Sequence, residues 1–400
     1  MHKYARILSS VKEGTPLLHM IRLGFKPEEV KRASVGVLES YFENKDVLKH
    51  CAIDLIPEVL SLIRLQGQQL FVHGIQECLS VYRLAKARDS HACFESFALW
   101  QPKIAESLSK FWTVLHLEAD KSALEINEFL HECLGNIGDI IEGLSQPYLK
   151  ILLHQLRITK GNISPLQDVD SLELGQIVNE LIKRRNFVSL LAIPPWNIRL
   201  NQWRNIAYHY SARIENNDII CWYGKAPKIK EIKITRNELT QIAQAIFHIF
   251  SSLKVAHTLF YVDNLEQIRS FSTPAYKERE EAGFLNLAVA LASQGFEVLE
   301  YGKSQDEARI VLRDASNSKP EMRRFHASQF LFPLWLLTEA KTLVVEYREN
   351  DNTPNLVASA DSAICEKIYN GELEPLALAR EMRLVDLKAK KTIEPSTTDV

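Results

Sequence analysis

The sequence predicts a mainly α-helical protein built from several domains. Apolar residues recur at helical spacing along most of the chain, whereas the last third alternates helical and strand-like patterns. Because 400 residues are more than one hydrophobic core usually serves, two or three domains are expected. We expect a helical N-terminal region at 1–111, a helical bundle with a small β-hairpin insertion at 112–260, a small α/β domain at 261–390 and a flexible tail at 391–400.

Composition narrows the classes of function. Lys and Arg number 48 against 50 Asp and Glu, which gives a net charge of -2. This balance argues against a protein that coats long stretches of nucleic acid, but it does not exclude a small basic pocket for one phosphate. The 6 cysteines form no CxxC pair, so neither a disulfide framework nor a zinc site is expected. The start lacks a secretion signal, and the apolar run at 330–337 is too short to span a bilayer. We therefore expect a cytoplasmic protein without membrane segment, metal or cofactor.

The helical elements follow from one-sided apolar stripes. In the N-terminal region the stripe includes Leu55, Val59 and Ile63, and we expect it to form a scaffold. In the bundle, stripes at 124–144, 148–156 and 174–182 predict three helices, and Asp170 with Glu173 suggests a capping box for the third. His154 lies among leucines and is expected to be a hydrogen-bonded core histidine.

The pattern changes after Pro195 and again in the last third. Ile214 and the pair at 219–220 flank the turn residues at 216–218, which predicts a hairpin, and a capping box at Thr235 and Glu238 opens a long helix. Further on, the pattern predicts a helix opened by Thr273 that stops at Gly295. Strands are then expected at 296–301, 308–313 and 342–348, with one helix at about 321–340.

Arg204, Asn205 and His209 lie in the segment RNIAYH, which carries the candidate chemistry. Cutting RNA without a metal requires a base for the 2′-hydroxyl, an acid for the departing 5′-oxygen and a cation for the charge that gathers on phosphorus. Histidine titrates near neutrality, and arginine offers a charged planar fork that fits phosphate oxygens. We expect both side chains to project from one side of a helix end.

This segment resembles the RN-x-x-x-H motif of ribonucleases of the HEPN superfamily. The resemblance covers roughly 112–260 in architecture and only the segment from Arg204 to His209 in strict motif. It implies a homodimer in which two motifs face each other across a shared cleft, and cleavage to a cyclic phosphate without a metal. Carried over by position, Arg204 binds phosphate, His209 is the general acid/base and Asn205 orients the site.

Four neighbouring residues are candidates for substrate binding. Tyr208 and Tyr210 flank the histidine where small residues are common in the superfamily, and either stacking on an RNA base or packing explains them. Lys225 and Lys228 belong to a basic run that could guide an RNA backbone, although lysines on the wet face of a strand are commoner.

Together these observations predict a metal-independent endoribonuclease, of the kind that acts as a toxin or abortive-infection effector in prokaryotic defence. Its expected partners are RNA, a second copy of the chain and a regulatory or neutralising protein. One alternative is a catalytically silent interaction module, in which the motif only caps a helix end. Another is a metal-dependent nuclease built from Glu346, Asp361 and Glu366.

Overall fold

The computed structural model describes most of the chain. It covers 16–115, 124–185, 187–272, 279–316, 319–389 and 391–393, with Tyr4, 7–9 and Val11. The side chains at 111–115, 184–185 and 391–393 lie outside the described part. The protein is mainly helical, as predicted.

The described helices are numbered here in chain order. They are α1 Leu17–Arg22, α2 Pro27–Leu38, α3 Lys45–Cys51, α4 Ile56–Leu65, α5 Gln69–Arg88, α6 Ser90–Leu115, α7 Ile126–Gly138, α8 Gln146–Thr159, α9 Leu166–Asp170, α10 Leu174–Arg185, α11 Val188–Leu191, α12 Leu200–Tyr208, α13 Arg236–Asp263, α14 Leu265–Arg269, α15 Glu280–Ser293, α16 Pro320–Ser328, α17 Leu331–Thr338, α18 Ser362–Tyr369 and α19 Leu376–Glu381. A 3₁₀ turn spans Glu39–Tyr41, and a π-helical segment, Asp139–Ser145, joins α7 to α8.

The described strands belong to three sheets. They are β1 Ala192–Ile193, β2 Ile198–Arg199, β3 Ala212–Glu215, β4 Asp218–Lys225, β5 Lys228–Ile234, β6 Phe296–Lys303, β7 Glu307–Asp314, β8 Thr342–Arg348, β9 Pro354–Asp361, β10 Arg383–Asp386 and β11 Lys391–Ile393. Strands β1 and β2 pair alone, β3 to β5 form a three-stranded sheet, and β6 to β11 form a six-stranded sheet.

The chain divides into two compact units whose boundaries differ from the expected domains. The sheet unit comprises Met1–Ser40, Leu48–Val59 and Arg279–Val400, and the bundle unit comprises Tyr41–Val47 and Leu60–Glu278. The helical region expected at 1–111 is thus divided between the units, and the later boundary lies near 278 rather than 260. An apolar stripe shows that a helix packs against something, but it does not reveal which distant segment covers it.

The bundle unit packs α5, α6, α7, α8 and α13 around an apolar core. Its largest fully buried side chains include Trp100, Trp203 and Tyr148. Among the described helices, only α13 is long and apolar enough by composition to cross a bilayer. Because 56% of its most apolar window is buried inside the protein, it is weak evidence for a membrane span.

Local signals in the bundle unit have mixed outcomes. The capping box at the start of α13 is confirmed, since Thr235 accepts from the Glu238 N–H and the Glu238 carboxylate accepts from the Thr235 N–H. The capping box expected at Asp170 is wrong, because its carboxylate binds Lys103 and Lys150 instead. His154 is a hydrogen-bonded core residue as predicted: Trp100 donates to Nδ1 and Nε2 lies 2.9 Å from the Ser164 carbonyl oxygen.

The sheet unit is built on the order β11-β10-β9-β8-β7-β6, in which β7 and β8 are parallel and the other neighbours are antiparallel. The single helix expected at about 321–340 is two helices, α16 and α17. Thr273 lies outside the described residues, and the helix that precedes Gly295 is α15. The tail expected at 391–400 begins with strand β11, which pairs with β10, and 394–400 lie outside the described part.

Candidate functional site

Helix α12 carries the motif at the edge of the bundle unit. Leu200, Trp203 and Ile206 recur along one side of the helix and are buried. That burial anchors α12 through its apolar face and leaves Arg204 and Asn205 half-exposed and His209 exposed at its C-terminal end. The helix therefore presents the motif at the surface while its own position is fixed by packing.

Arg204 is held by a carboxylate from another helical segment. Its Nε donates to Oε2 of Glu142 at 2.9 Å and its Nη2 to Oε1 at 3.2 Å, so the contact has two points. Its Nη1 donates to Oδ1 of Asn205 at 3.2 Å. The hydrogen bond with Glu142 raises the pKa of Arg204 above its ordinary value. The guanidinium is thus oriented and permanently charged.

Three of the five N–H groups of a guanidinium are used in these contacts. Two therefore remain, as far as the described residues are concerned, to bind a further anion. The guanidinium also lies 5.4 Å from the ring centroid of Tyr208. Burial and the neighbouring Glu142 charge raise the pKa of Tyr208, so its hydroxyl stays protonated at neutral pH.

Glu142 lies in the π-helical segment between α7 and α8. There the N–H of Gln146 donates to the carbonyl of Ile141, five residues back, which widens the helix by one residue. Such segments are rare and are often found at functional sites. Nothing in the sequence distinguishes Glu142 from the other acidic residues on polar helix faces, so sequence reasoning missed it.

Gly138 permits the close approach of α7 to the last turn of α12. A Cβ at this position would lie 3.2 Å from Cε2 of Tyr208 and 3.5 Å from Cβ of Ala207. A larger residue would therefore push against the helix end that carries the motif. The position was not anticipated from the sequence.

His209 is the C-cap residue that follows α12, and its side chain is exposed. No residue in the described part of the chain makes a hydrogen bond, an ion pair or a ring contact with its imidazole. His209 follows the last helical residue with non-helical backbone angles, φ -91° and ψ 2°, so the expectation that Arg204 and His209 share one side stays a prediction. The neighbour on α12 that Arg204 contacts is Tyr208, four positions away.

Tyr210, the residue after the C-cap of α12, has a strained backbone conformation. Its φ is 46°, the left-handed region, and the N–H groups of Tyr210 and Ser211 donate to the carbonyls of Ala207 and Ile206. Glycine usually occupies this position of a helix end, because a side chain is disfavoured there. The Tyr210 ring lies 5.9 Å from that of His131 on α7, a second exposed histidine that the sequence did not single out.

Lys225 and Lys228 face each other at the end of the β4–β5 hairpin. The register pairs Lys225 with Lys228, Tyr223 with Lys230, and the buried Cys221 with Ile232. Paired residues share a face of the sheet, and successive residues of a strand alternate between faces. The face that buries Cys221 therefore also carries Tyr223, Lys225, Lys228 and Lys230. The Gln202 amide oxygen on α12 accepts from the Gly224 N–H at 2.9 Å, which ties this hairpin to the motif helix.

Comparison of the chain with protein-family models, with curated proteins and with solved structures found no match. The assignment of a function therefore depends on the residues of this chain and their geometry.

Two of the three acidic residues considered for a metal-dependent nuclease, Glu346 and Asp361, are engaged separately, and the third, Glu366, is exposed. Although burial raises it, hydrogen bonds from Arg348 and Arg309 hold the pKa of Glu346 below its usual range. Asp361 caps α18 by accepting from the Ala363 N–H. Within the described ranges no three His, Cys, Asp or Glu side chains form a group suited to a metal ion. This geometry gives the metal-nuclease alternative no support.

Proposed function

We propose that the bundle unit is a HEPN-type, metal-independent endoribonuclease that acts as a homodimer. The observation that carries the proposal is the motif at the exposed end of α12, where a guanidinium is oriented by Glu142 and Asn205 and an imidazole is free. These groups provide the charge and the proton transfer that RNA transesterification requires.

In the proposed reaction the 2′-oxygen attacks phosphorus after its proton passes to His209. The bond from phosphorus to the 5′-oxygen breaks, and the leaving oxygen takes a proton from His209 of the partner subunit. The products are a 2′,3′-cyclic phosphate and a 5′-hydroxyl. Arg204 binds the phosphoryl oxygens through its remaining N–H groups, and Asn205 and Glu142 position it.

The need for two copies follows from the number of proton-transfer groups. One His209 supplies one acid/base group, whereas the reaction uses both a base and an acid. Two facing motifs would supply both proton-transfer groups and would place an arginine beside each. The Tyr208 and Tyr210 rings would stack on bases, and Lys225, Lys228 and Lys230 would bind the RNA backbone.

The test is cleavage of RNA by the purified full chain in EDTA. Arg204→Ala and His209→Ala are each expected to lower the rate by about 100-fold or more. His73→Ala is the matched control, since His73 is another exposed histidine of the bundle unit, on α5. If all four proteins behave alike, the proposal is wrong. If EDTA abolishes cleavage and His209→Ala does not, a metal-dependent activity elsewhere is responsible.

A second candidate function is a catalytically silent interaction module. The observation that favours it is the Glu142 carboxylate, which already occupies one edge of the Arg204 fork. A protein without cleavage activity whose Arg204→Ala variant also loses a protein partner would support this alternative. A defence or toxin role, regulated by a neutralising protein, follows from the resemblance alone.

A further inference from the structure

Helix α17 of the sheet unit exposes apolar side chains and carries no charged residue along its length. Leu331, Leu334 and Thr338 recur on its buried side. Leu336 lies on the other side and is 49% exposed, and Phe332 and Trp335 beside it are partly buried. An exposed apolar side chain on a helix without charged residues marks a candidate contact surface.

Two neighbouring helices extend this face. The rings of Phe332 and Trp335 are stacked with centroids 6.0 Å apart, and the Trp335 ring meets that of Tyr369, at the end of α18, at 5.8 Å. Tyr369 is 67% exposed. We call the following set the Trp335 surface: Phe332, Trp335, Leu336, Tyr369, Leu373 and Leu376.

Exposed carboxylates, called here the acidic rim, lie on the same helices and turns as the Trp335 surface. On α17, α18, α19 and their connecting turns, the exposed acidic residues are Glu339, Glu366, Glu372, Glu374 and Glu381. The cations of the same stretches are Lys341, Lys367 and Arg380, so two negative charges are in excess, and Lys341 already pairs with Asp306. None of the five carboxylates makes an ion pair or hydrogen bond with a described side chain.

We propose that the Trp335 surface binds a basic amphipathic helix of a partner protein. Exposed aromatic and aliphatic side chains form the centre of such interfaces, and a charged rim selects the sign of the partner. The acidic rim disfavours nucleic acid and anionic lipid. It also disfavours a second copy of this chain, because a two-fold interface would bring the same carboxylates together. This inference is independent of the ribonuclease proposal.

The test uses a synthetic Leu/Lys peptide of about 18 residues, five helical turns with all leucines on one face. Titration calorimetry with the full chain is expected to show saturable binding. A Leu/Lys peptide of the same composition with its leucines distributed around the helix should bind about tenfold more weakly, and a Leu/Glu amphipathic peptide should not bind. Equal binding of the two Leu/Lys peptides would show nonspecific attraction and would overturn the proposal.

Paired variants locate the binding. Leu336→Ala, Tyr369→Ala and the double variant Glu372→Lys/Glu374→Lys should each weaken binding by about fivefold or more, since these side chains are exposed and their loss leaves the core intact. Met322→Ala on α16, also exposed, and Glu300→Lys/Glu307→Lys on β6 and β7 are controls expected to bind normally. Unchanged affinity in all the surface variants would place the binding elsewhere.

Two further outcomes would identify a different occupant. If the chain alone forms a dimer that Leu336→Ala and Tyr369→Ala dissociate, the surface belongs to a second copy. If vesicles of phosphatidylserine bind the chain and those variants prevent it, the surface belongs to a lipid. Either result would overturn the proposal.

Discussion

Two hydrogen bonds join the Arg204 guanidinium to the Glu142 carboxylate and limit the orientations of both side chains. The carboxylate fixes the plane of the guanidinium and, together with the Asn205 contact, leaves two of its N–H groups for a phosphate. A phosphate bound there would share the cation with Glu142. We therefore assign Glu142 a positioning role, in which it orders Arg204 before the substrate arrives.

The first prediction concerns this pair. Glu142→Gln should lower RNA cleavage by up to about 100-fold, because the guanidinium loses its fixed orientation. Arg204→Lys should also be strongly impaired, because an ammonium group cannot bind in two points. The measurement is the single-turnover rate in EDTA, with Glu132→Gln on α7 as the control. Faster cleavage by Glu142→Gln would show that Glu142 blocks the site instead.

Tyr210 combines backbone strain with an exposed ring, and this combination indicates function. A left-handed residue other than glycine costs about 1 kcal/mol at a helix end. Strain of this kind persists where the side chain has another use. We infer that use to be stacking on an RNA base.

The second prediction separates strain from stacking. Tyr210→Gly should leave the free energy of unfolding equal or higher by up to about 1 kcal/mol, because glycine adopts this conformation freely. It should raise the KM for RNA about tenfold, since stacking contributes about 1–3 kcal/mol per base. Tyr210→Phe keeps the ring and should have a normal KM. A large loss of stability with an unchanged KM would make Tyr210 a purely structural residue.

At the scale of elements, the β4–β5 hairpin places three of its lysines on the same face of the sheet. Lys225, Lys228 and Lys230 lie on one face by register, whereas Lys233 lies on the other and pairs with Asp218. The sequence revealed the basic run but not this division, because the phase of a strand depends on what covers one of its faces.

The third prediction uses this division. Replacing Lys225, Lys228 and Lys230 by Ala should weaken binding of single-stranded RNA. It should also reduce the slope of log Kd against log salt by up to about 0.7 for each lost phosphate contact. Lys233→Ala should change neither quantity. Fluorescence anisotropy in the His209→Ala background measures both without cleavage. An unchanged slope in the triple variant would remove the hairpin from the RNA path.

Elements with strong local signals were predictable and others were not. Thr235 and Glu238 carry a complete capping pattern in four residues, and the structure has that cap. Strand β8 occupies the predicted 342–348. Asp170 matched a capping pattern as well, but two lysines from other helices compete for its carboxylate. Contacts between distant segments decided the second case, and no local pattern contains them.

At the scale of the whole molecule, pairing between distant residues limited prediction in the same way. Arg204 and His209 could be selected because their chemistry is visible in one short segment. Glu142 lies 62 positions from Arg204 and became visible only once α12 was placed beside the π-helical segment. The N-terminal segments were likewise expected to form a region of their own, whereas Met1–Ser40 and Leu48–Val59 belong to the unit that continues from Arg279.

The fourth prediction concerns acid stability. Burial lowers the pKa of His257 in the bundle unit to about 3, and burial with Arg323 lowers that of His326 in the sheet unit to about 4. In the unfolded chain both histidines titrate near pH 6.5. The stability that comes from keeping them neutral in the fold is therefore fully present above about pH 6.5. Below that pH the unfolded chain takes up protons that the fold excludes, and stability falls.

The slope of the free energy of unfolding against pH should reach about 1.4 kcal/mol per pH unit for each histidine that titrates fully on unfolding. Urea unfolding at about pH 7 and pH 5 measures it. Phe can replace His257 among its aromatic neighbours, and His257→Phe should make stability less sensitive to acid. An identical loss in the variant would show that His257 does not contribute.

The fifth prediction concerns assembly. Because two facing motifs are proposed to share the chemistry, the active species should be a dimer. Light scattering across a concentration series should show dimers wherever the protein cleaves RNA. Full activity in a preparation that contains only monomers would contradict the shared site.

Chemical rescue tests the central claim most directly, namely that the His209 imidazole carries the proton while Arg204 binds the phosphate. His209→Ala removes an exposed ring without disturbing the core, so free imidazole can occupy the space. Added imidazole should restore part of the cleavage rate of His209→Ala in EDTA and should not restore that of Arg204→Ala. Cleavage by His209→Ala at the full rate without imidazole, or no rescue at any concentration, would contradict the account.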